Sequence, residues 1–375
     1  MTPTSVILVG AGLANGLIAD RLVARRLDLK VTVLEAGPKP GGNHTWCFHG
    51  TDVAPSTLAW LEHYVSARWN SHDVIFPSMR RTLDGEYFAI RSEDFATRLT
   101  ERLGDRLRTN VSVKEIDGTT VTLSDGTKLS AAVVLDGRGL QSDSPAHNGF
   151  QKFVGREVLL REPHGLTRPL LMDASVEQLD GFRFIYVLPW DERRVLVEDT
   201  RYSDTAQLDV AQFRADLDVW MQKRGWSVES VQREEVAALP IPLDDEGPEF
   251  SRPLVGVSGG FFHATTGYSL PFAAAVAELI TEQQELDATK LTALLHQRSK
   301  AHWESMGFFR LLNRMLFRGA APSERVKVFQ SFYRHSPELI ARFYAGTLTW
   351  SDKLSALARG APTVPAFKAM RAAFS

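Results

Sequence analysis

The first apolar run of the chain, residues 6–9, breaks at Gly10-Ala11-Gly12 and gives way to a helix-compatible segment from Leu13 to Arg25. A second apolar run, residues 31–34, ends in Glu35. Strand, glycine turn, helix and strand make a βαβ unit, and this one carries the marks of a dinucleotide site. Gly10 and Gly12 let the backbone approach a pyrophosphate, Ala11 and Leu13 complete the turn, and the helix N-terminus favours the negative charge. Glu35 can accept hydrogen bonds from an unphosphorylated ribose. The third fingerprint position holds Asn15, with Gly16 one place later, so helix and strand are expected to pack slightly differently there.

After Glu35 the pattern lapses into AGPKPGGNHTWCFH, a polar, glycine-rich loop in which Gly42, Asn43, His44, Trp46 and His49 face the far end of the nucleotide site. Helical spacing returns over residues 56–68, and Asp84-Gly85 predicts a hairpin turn between Thr82-Leu83 and Tyr87-Phe88. Ser92 is expected to cap a helix that buries Phe95, Leu99 and Leu103. A second hairpin is expected around Asp125-Gly126. The next apolar run ends at Asp136-Gly137-Arg138-Gly139, where Gly137 is a candidate to touch the cofactor again.

From residue 151 the strands lengthen, at 158–161, 170–173, 181–188 and 193–201, with one helix at 208–223. This predicts a mainly antiparallel sheet over residues 151–250, inserted as a second layer that roofs the nucleotide domain and leaves a substrate cavity between. Residues 1–150 and 251–290 then form one Rossmann-type domain. Its returning strand enters a second glycine-rich loop, with Gly259, Thr266 and Gly267 as further cofactor contacts, before a helix at 271–282. Residues 291–375 read as helical. The expected class is α/β with an α+β second domain.

Composition adds limits. At 375 residues and 44% hydrophobic content the chain can bury a substantial core. The single cysteine, Cys47, leaves no internal disulfide or cysteine-cluster metal site and suits a reducing compartment. With no signal peptide and no apolar run near the ~18 residues of a spanning helix, a cytoplasmic protein is expected. The net charge of −2 hides a segregation: residues 290–375 carry fourteen Lys and Arg against four Asp and Glu, +10, which leaves −12 on the first 289. The same tail holds twelve aromatics, among them Trp303, Phe308, Phe309, Phe317, Phe332, Tyr333, Phe343, Tyr344 and Trp350. Basic and aromatic residues together suit an anionic membrane surface. Nucleic acid is a competing partner without a recognition motif to support it, and plain helix core with solvated arginines is the third reading.

One strand carries candidate chemistry. Glu198 and Asp199 are adjacent, so Glu198 shares a face with Leu196 and Thr200, and Asp199 with Val197 and Arg201. Only one of them can enter a given cavity. A carboxyl among apolar side chains is kept protonated by desolvation and serves as a general acid, which favours Glu198. Asp199 can instead pair with Arg201. No G-x-S-x-G elbow or H-E-x-x-H motif occurs, no metal-ligand spacing is present, and Cys47 reads as a small buried residue.

The runs ILVGAGLANGLIADRL, GGNHTWCFH, QKFVG, MDASVEQLDGFRFIYVLP, VEDTRYSD, LPIPL and GGFFHATTGYSLP resemble, in order along nearly the whole chain, the bacterial lycopene β-cyclase family. The resemblance implies a glutathione-reductase-like FAD domain and a peripheral membrane enzyme on the inner face of the cell membrane. It implies closure of the ψ-ends of lycopene to β-ionone rings without net redox change. It also implies reduced FAD as the active form with NADPH as electron source, Glu198 and then Asp199 as the protonating acids, and Tyr186 and Trp190 as aromatic faces in the substrate cavity. A flavin redox enzyme acting on an isoprenoid, a hydroxylase or desaturase, is the alternative. Oligomeric state is not implied.

Overall fold

The two short apolar runs at the start of the chain pair in parallel, Val6 beside Val31 and Leu8 beside Val33, and nucleate the smaller of two main sheets. A computed structural model describes residues 4–139 and 148–360, so the last fifteen residues of the basic tail lie outside the described residues. The elements of the first half are β1 (Thr4–Val9), α1 (Leu13–Arg25), β2 (Leu29–Leu34), β3 (Thr45–His49), α2 (Pro55–Leu61), β4 (Ala67–Phe76), β5 (Met79–Arg91), α3 (Ser92–Leu103), β6 (Leu107–Arg108), β7 (Val113–Ile116), β8 (Thr120–Leu123), β9 (Lys128–Ser130) and β10 (Val133–Asp136). There follow β11 (Asn148–Leu160), β12 (Leu170–Asp173), β13 (Phe182–Pro189), β14 (Arg194–Ser203), α4 (Val210–Lys223) and β15 (Val228–Pro242). The chain closes with α5 (Leu270–Thr281), α6 (Ala288–Ser305), α7 (Gly307–Arg314), α8 (Arg325–Phe332), α9 (Pro337–Tyr344) and α10 (Trp350–Gly360).

The parallel sheet runs β10-β1-β2-β6 and is covered on both faces, as parallel sheets must be. Val6, Leu8, Val31, Val33, Val133 and Leu135 pack on one side with Leu17, Leu22, Ala273, Ala277 and Ile280 of α1 and α5. Ile7, Val9, Leu34 and Val134 pack on the other, against Val121 of the small β7-β8-β9 sheet. Asn15 replaces the third fingerprint glycine without loss. Its amide donates to the carbonyls of Val9 and Gly10, both at 2.9 Å, and fits because Gly137 has no Cβ there. Gly16 takes over the close-packing role, since a Cβ on it would stand 2.6 Å from the Phe95 ring.

The larger sheet has eight strands in the order β15-β11-β14-β13-β12-β4-β5-β3. It therefore begins well before residue 151: β3, β4 and β5, from the stretch expected to belong wholly to the nucleotide domain, form one edge of it. The sheet curls until its edge strands meet through side chains. Glu235 of β15 accepts from the Thr45 backbone N–H of β3 at 2.9 Å, and Asn43 donates to the Glu234 carbonyl at 2.7 Å.

Three local expectations need correction. The β4–β5 hairpin turns at Pro77-Ser78, while Asp84-Gly85 lies inside β5 at a register shift opposite Trp69–Ser71, with Gly85 at φ +140°. A bulge uses the same glycine chemistry as a turn, which is why the pattern misleads. The helix expected over 56–68 ends at Leu61, passes through a single 3₁₀ turn and becomes strand at Ala67. Ser92 is the first residue of α3 rather than its cap, and its hydroxyl bonds Glu93 instead of a free amide.

Candidate active site

Four adjacent strands of the curled sheet place one residue each in a single row: Glu235 on β15, Gly155 on β11, Glu198 on β14 and Tyr186 on β13. The rows to either side contribute Phe153, Phe184, Leu196, Gln151, Tyr202 and Leu239, and this face floors a cavity of about 1040 Å³. The opposite wall comes from His44 to Cys47, His49 and Tyr87, and from the loop and first turn of α5, Thr266 to Leu270. The cavity thus lies where the residues around β3 and the α5 loop meet the large sheet.

Alternation along β14 separates the two candidate acids. Asp199 is fully buried on the far face, where Arg183 grips it at 2.8 Å and Arg201 at 2.9 Å; Asp216 adds a second carboxylate 2.6 Å from Arg201. It is a structural ion cluster and lies away from the cavity. Glu198 faces the cavity, surrounded by protein except for the surface it presents to the void, and accepts a 2.6 Å bond from the Thr200 hydroxyl. Burial, and secondarily the nearby charge of Glu235, push its carboxyl up to about 8, so it is a neutral acid at pH 7.

Glu235 has the opposite surroundings. Burial works against its charge, yet His44 at 3.2 Å, Arg233 at 3.4 Å and the Thr45 amide and hydroxyl at 2.9 and 3.0 Å hold its carboxyl below the usual range. The two carboxyls converge over Gly155, where a Cβ would lie 3.2 Å from Glu198 Oε2 and 3.4 Å from Glu235 Oε1. One stays charged, and its charge adds to burial in keeping the other protonated. Sequence reasoning missed Glu235, because its partners come from segments about 190 residues away and only the closed sheet edge brings them together.

The aromatic expectations divide. Tyr186 lines the cavity, exchanging a 2.9 Å bond with Tyr87 and donating to Cys47 Sγ at 3.1 Å. Burial pushes the Cys47 thiol up to about 12, which leaves it protonated and inert. Trp190 stands off the cavity wall, its ring tilted at 6.1 Å from that of Trp69 and lying 5.6 Å beneath the Arg91 guanidinium; the strand ends at Pro189 and turns it aside. His44, Trp46 and His49 do line the void. Burial drives the His49 imidazole down to about 3, so it is neutral.

Beside this cavity the residues fit a bound dinucleotide. Gly12 caps α1 without a side-chain bond and has nothing within 4 Å of its Cβ position, so the first-turn amides open onto free space. Gly10, at φ +85°, sits where a Cβ would stand 3.0 Å from the Gly137 carbonyl, whereas Gly42, at φ +63°, has open space at its Cβ position. Glu35 ends β2 with one oxygen on the Ala11 amide at 2.6 Å and the other on the Gly37 amide at 2.8 Å. Asn43 is engaged by Arg233 and Glu234, whereas Thr266 and Gly267 face the cavity. Gly259 is placed differently: a Cβ on it would strike the Leu254 carbonyl at 2.8 Å, so it serves close packing. Among the described residues no group of three His, Cys, Asp or Glu is arranged to hold a metal ion.

Comparison with known proteins gives one consistent result. The family model described as lycopene cyclase protein matches residues 5–371. The chain is 43% identical to lycopene beta-cyclase of Pseudescherichia vulneris over 99% of its length and 97% of that protein's, and 42% identical to that of Pantoea ananas over 98% and 97%. Among solved structures, a flavin-dependent halogenase from Brevundimonas shares the fold at TM-score 0.59 and 13% identity, covering 96% of this chain and 90% of that one. A probable FAD-dependent monooxygenase from Pseudomonas aeruginosa does so at TM-score 0.58 and 12% identity, covering 88% and 100%.

A proton held on buried Glu198 changes stability with pH. From the ordinary 4.5 of an unfolded glutamate up to about 8, the folded chain retains a proton that the unfolded chain has lost, so stability falls as pH rises through that window. Glu198→Gln should remove this slope in urea titrations, matching wild type near the low end and exceeding it by a few kcal/mol above pH of about 8. Glu235→Gln should pull the upper edge of the window to lower pH. Superimposable pH profiles for wild type and Glu198→Gln would show that Glu198 ionises like an exposed residue.

Proposed function

The chain belongs to the family of lycopene cyclase proteins, and on that premise we propose that it is a lycopene β-cyclase, closing the ψ-ends of lycopene and yielding β-carotene by way of γ-carotene. The observation that carries this reading is Glu198: a neutral carboxylic acid on the floor of a largely apolar cavity adjoining a dinucleotide cradle. The proton of Glu198 passes to the terminal double bond of a ψ-end, leaving a tertiary cation on the substrate. A neighbouring double bond of the same chain attacks that cation and closes the ring. A ring proton then returns to the Glu198 carboxylate. One proton enters and one leaves, and no electrons are exchanged with the surroundings.

In this reading Gly10, Gly12 and the first turn of α1, with Ala11 and Leu13, hold the diphosphate of FAD, and Glu35 the ribose. Gly42, Asn43, Gly137, Thr266 and Gly267 follow its length, with Gly259 supporting the last loop. Bound in reduced form, FAD supplies an electron-rich anionic ring that offsets positive charge in a water-poor site; NADPH is the proposed electron source. The chain's own residues do the rest. Glu235 keeps the proton on Glu198 until an acceptor arrives, Thr200 fixes the carboxyl, and Tyr186 and Phe184 offer ring faces toward a passing cation. Asp199, held by two guanidiniums, is assigned a supporting role in positioning β14.

With reduced flavin, lycopene and no oxygen, wild type should form β-carotene without consuming NADPH stoichiometrically, and Glu198→Gln should lower the rate by about 10²-fold or more while retaining flavin. Cyclisation by Glu198→Gln at the wild-type rate would remove the acid from the scheme. NADPH or oxygen consumed in step with product would replace the cyclase by a redox enzyme.

Lycopene dissolves in bilayers, so the protein is proposed to dock on the inner face of the cell membrane. No helix among the described residues is long and apolar enough to cross a membrane. Among the tail's described aromatics, Trp303, Phe309, Tyr333 and Phe343 are buried, and Phe308, Phe317, Phe329, Phe332 and Tyr344 are half-buried. Among the described residues of the tail the exposed large apolar side chains are Trp350 and Leu354, 80% and 62% exposed and one turn apart on α10. Wild type should therefore float with liposomes, and Trp350→Asp with Leu354→Asp should reduce that recovery severalfold at unchanged folding. Equal flotation would place the docking surface elsewhere.

A further inference from the structure

A second cavity of about 920 Å³ lies beyond the first, between β12, β14 and the C-terminal helices. Four residues line both voids: Met172, Tyr202, Thr266 and Tyr344. The second one is walled by Leu312, Met315, Leu316, Val328, Phe329 and Phe332, and reaches α10 at Ala356. Its polar neighbours are mostly engaged elsewhere. Asn313 gives both amide protons to the Pro242 and Ala264 carbonyls at 2.9 Å, leaving only its Oδ1 unpartnered; Tyr333 and Tyr344 bond each other at 2.6 Å; Tyr202 donates to the Thr265 carbonyl at 3.2 Å. Such a wall suits hydrocarbon.

We propose that this distal cavity holds the far arm of the polyene while the near end is at Glu198, so that the two voids form one binding channel divided by Tyr202, Tyr344 and Met172. The proposal rests on the cyclase reading for the identity of the ligand, and on the shared lining for its place. Three features agree. The cavity shares four lining residues with the acid-bearing one, its lining carries no Asp, Glu, Lys or Arg, and it reaches the helix whose outer face exposes Trp350 and Leu354. A long, stiff polyene with its head at Glu198 needs a continuation of this kind, since its conjugated chain runs far beyond the end that closes into a ring. The wall at Met315–Gly319 is a π-helical turn, a local widening of the helix of the sort found at functional sites.

A consequence concerns the second ring. After one end has cyclised, the molecule must reverse, and the distal cavity then has to accept a bulky ring where it first accepted a slender ψ-end. Narrowing that cavity should hinder the second turnover more than the first.

Val328→Trp and Leu312→Trp both fill the distal void and touch neither Glu198 nor the dinucleotide cradle. Lycopene delivered from liposomes is the probe, with two readouts: polyene retained per protein after gel filtration, and the ratio of γ-carotene to β-carotene. A short polyene bearing the same ψ-end is the control. The expected result is a tenfold or greater loss of lycopene retention and a ratio shifted severalfold toward γ-carotene, with the short polyene bound within twofold of wild type. Unchanged retention and ratio in both folded variants would overturn the channel, and so would equal losses for long and short ligands. Wild type that retains lycopene through Val328 and Leu312 yet forms no ring would sustain the channel and remove the cyclase. Wild type that retains no polyene would overturn the channel.

Discussion

Glu198 and Asp199 are chemically almost identical and one residue apart, and the sheet gives them opposite fates. The pleat turns Asp199 toward Arg183 and Arg201, two guanidiniums buried on the same face, and turns Glu198 toward Leu196, Tyr186 and the void. A charge can be buried only where a countercharge is supplied, so the first carboxyl becomes part of the frame and the second stays protonated. A one-residue slip of β14 would exchange them. The strand is locked against such a slip by its two antiparallel neighbours and by the Asp199 cluster itself, which would lose both arginines. The acid's identity is thus a consequence of register.

The same face shows how neutrality is maintained across a wider distance. Glu235 is charged because the edges of the sheet meet, bringing His44 and Thr45 of one edge to β15 at the other, with Arg233 alongside. Its field opposes ionisation of Glu198, and Gly155 between them leaves room for both carboxyls. Arg233 and Arg91, the cations nearest this face, are occupied by Glu157 and Glu235. Positive charge near the site is therefore taken up by other carboxylates, while burial and the Glu235 charge outweigh Arg233 at Glu198, leaving a neutral carboxyl that in the proposed mechanism gives up its proton to a weakly basic double bond.

Much of this frame was legible in the chain. The opening βαβ unit follows from local rules, because turn glycines, helix spacing and the terminal acid all act within a few residues of each other. So does the separation of Glu198 from Asp199, which needs only the period of a strand. What escaped were features made by contact between distant segments. Residues 45–91 carry strand-like alternation but no sign that they join the sheet of residues 148–242, and Glu235 stands in REEVAA beside an equally acidic Glu234 that is paired with Arg214 near the surface. Asp84-Gly85 misleads for a different reason: a bulge and a turn ask for the same backbone freedom, and only strand pairing tells them apart.

The charge segregation between the two parts of the chain has a similar lesson. Read along the sequence, a tail of +10 beside a remainder of −12 invites an external anionic partner. In the folded chain much of that complementarity is satisfied internally. Arg310 and Arg314 reach Asp245, Arg318 reaches Asp244, and Arg325, fully buried, reaches Asp204 and three backbone carbonyls. The basic helices are pinned to the acidic body, and that pinning closes the roof of the distal cavity. In the proposed membrane docking, electrostatics then contributes less than its arithmetic suggests, and the burden shifts to apolar contact. Trp350 and Leu354 are two side chains whose full burial in an interface is worth about 1.5–3 kcal/mol each, enough for reversible attachment and too little for permanent anchoring. Weak attachment would suit the proposed cyclase, which would take a long hydrocarbon from a bilayer, turn it, and give it back.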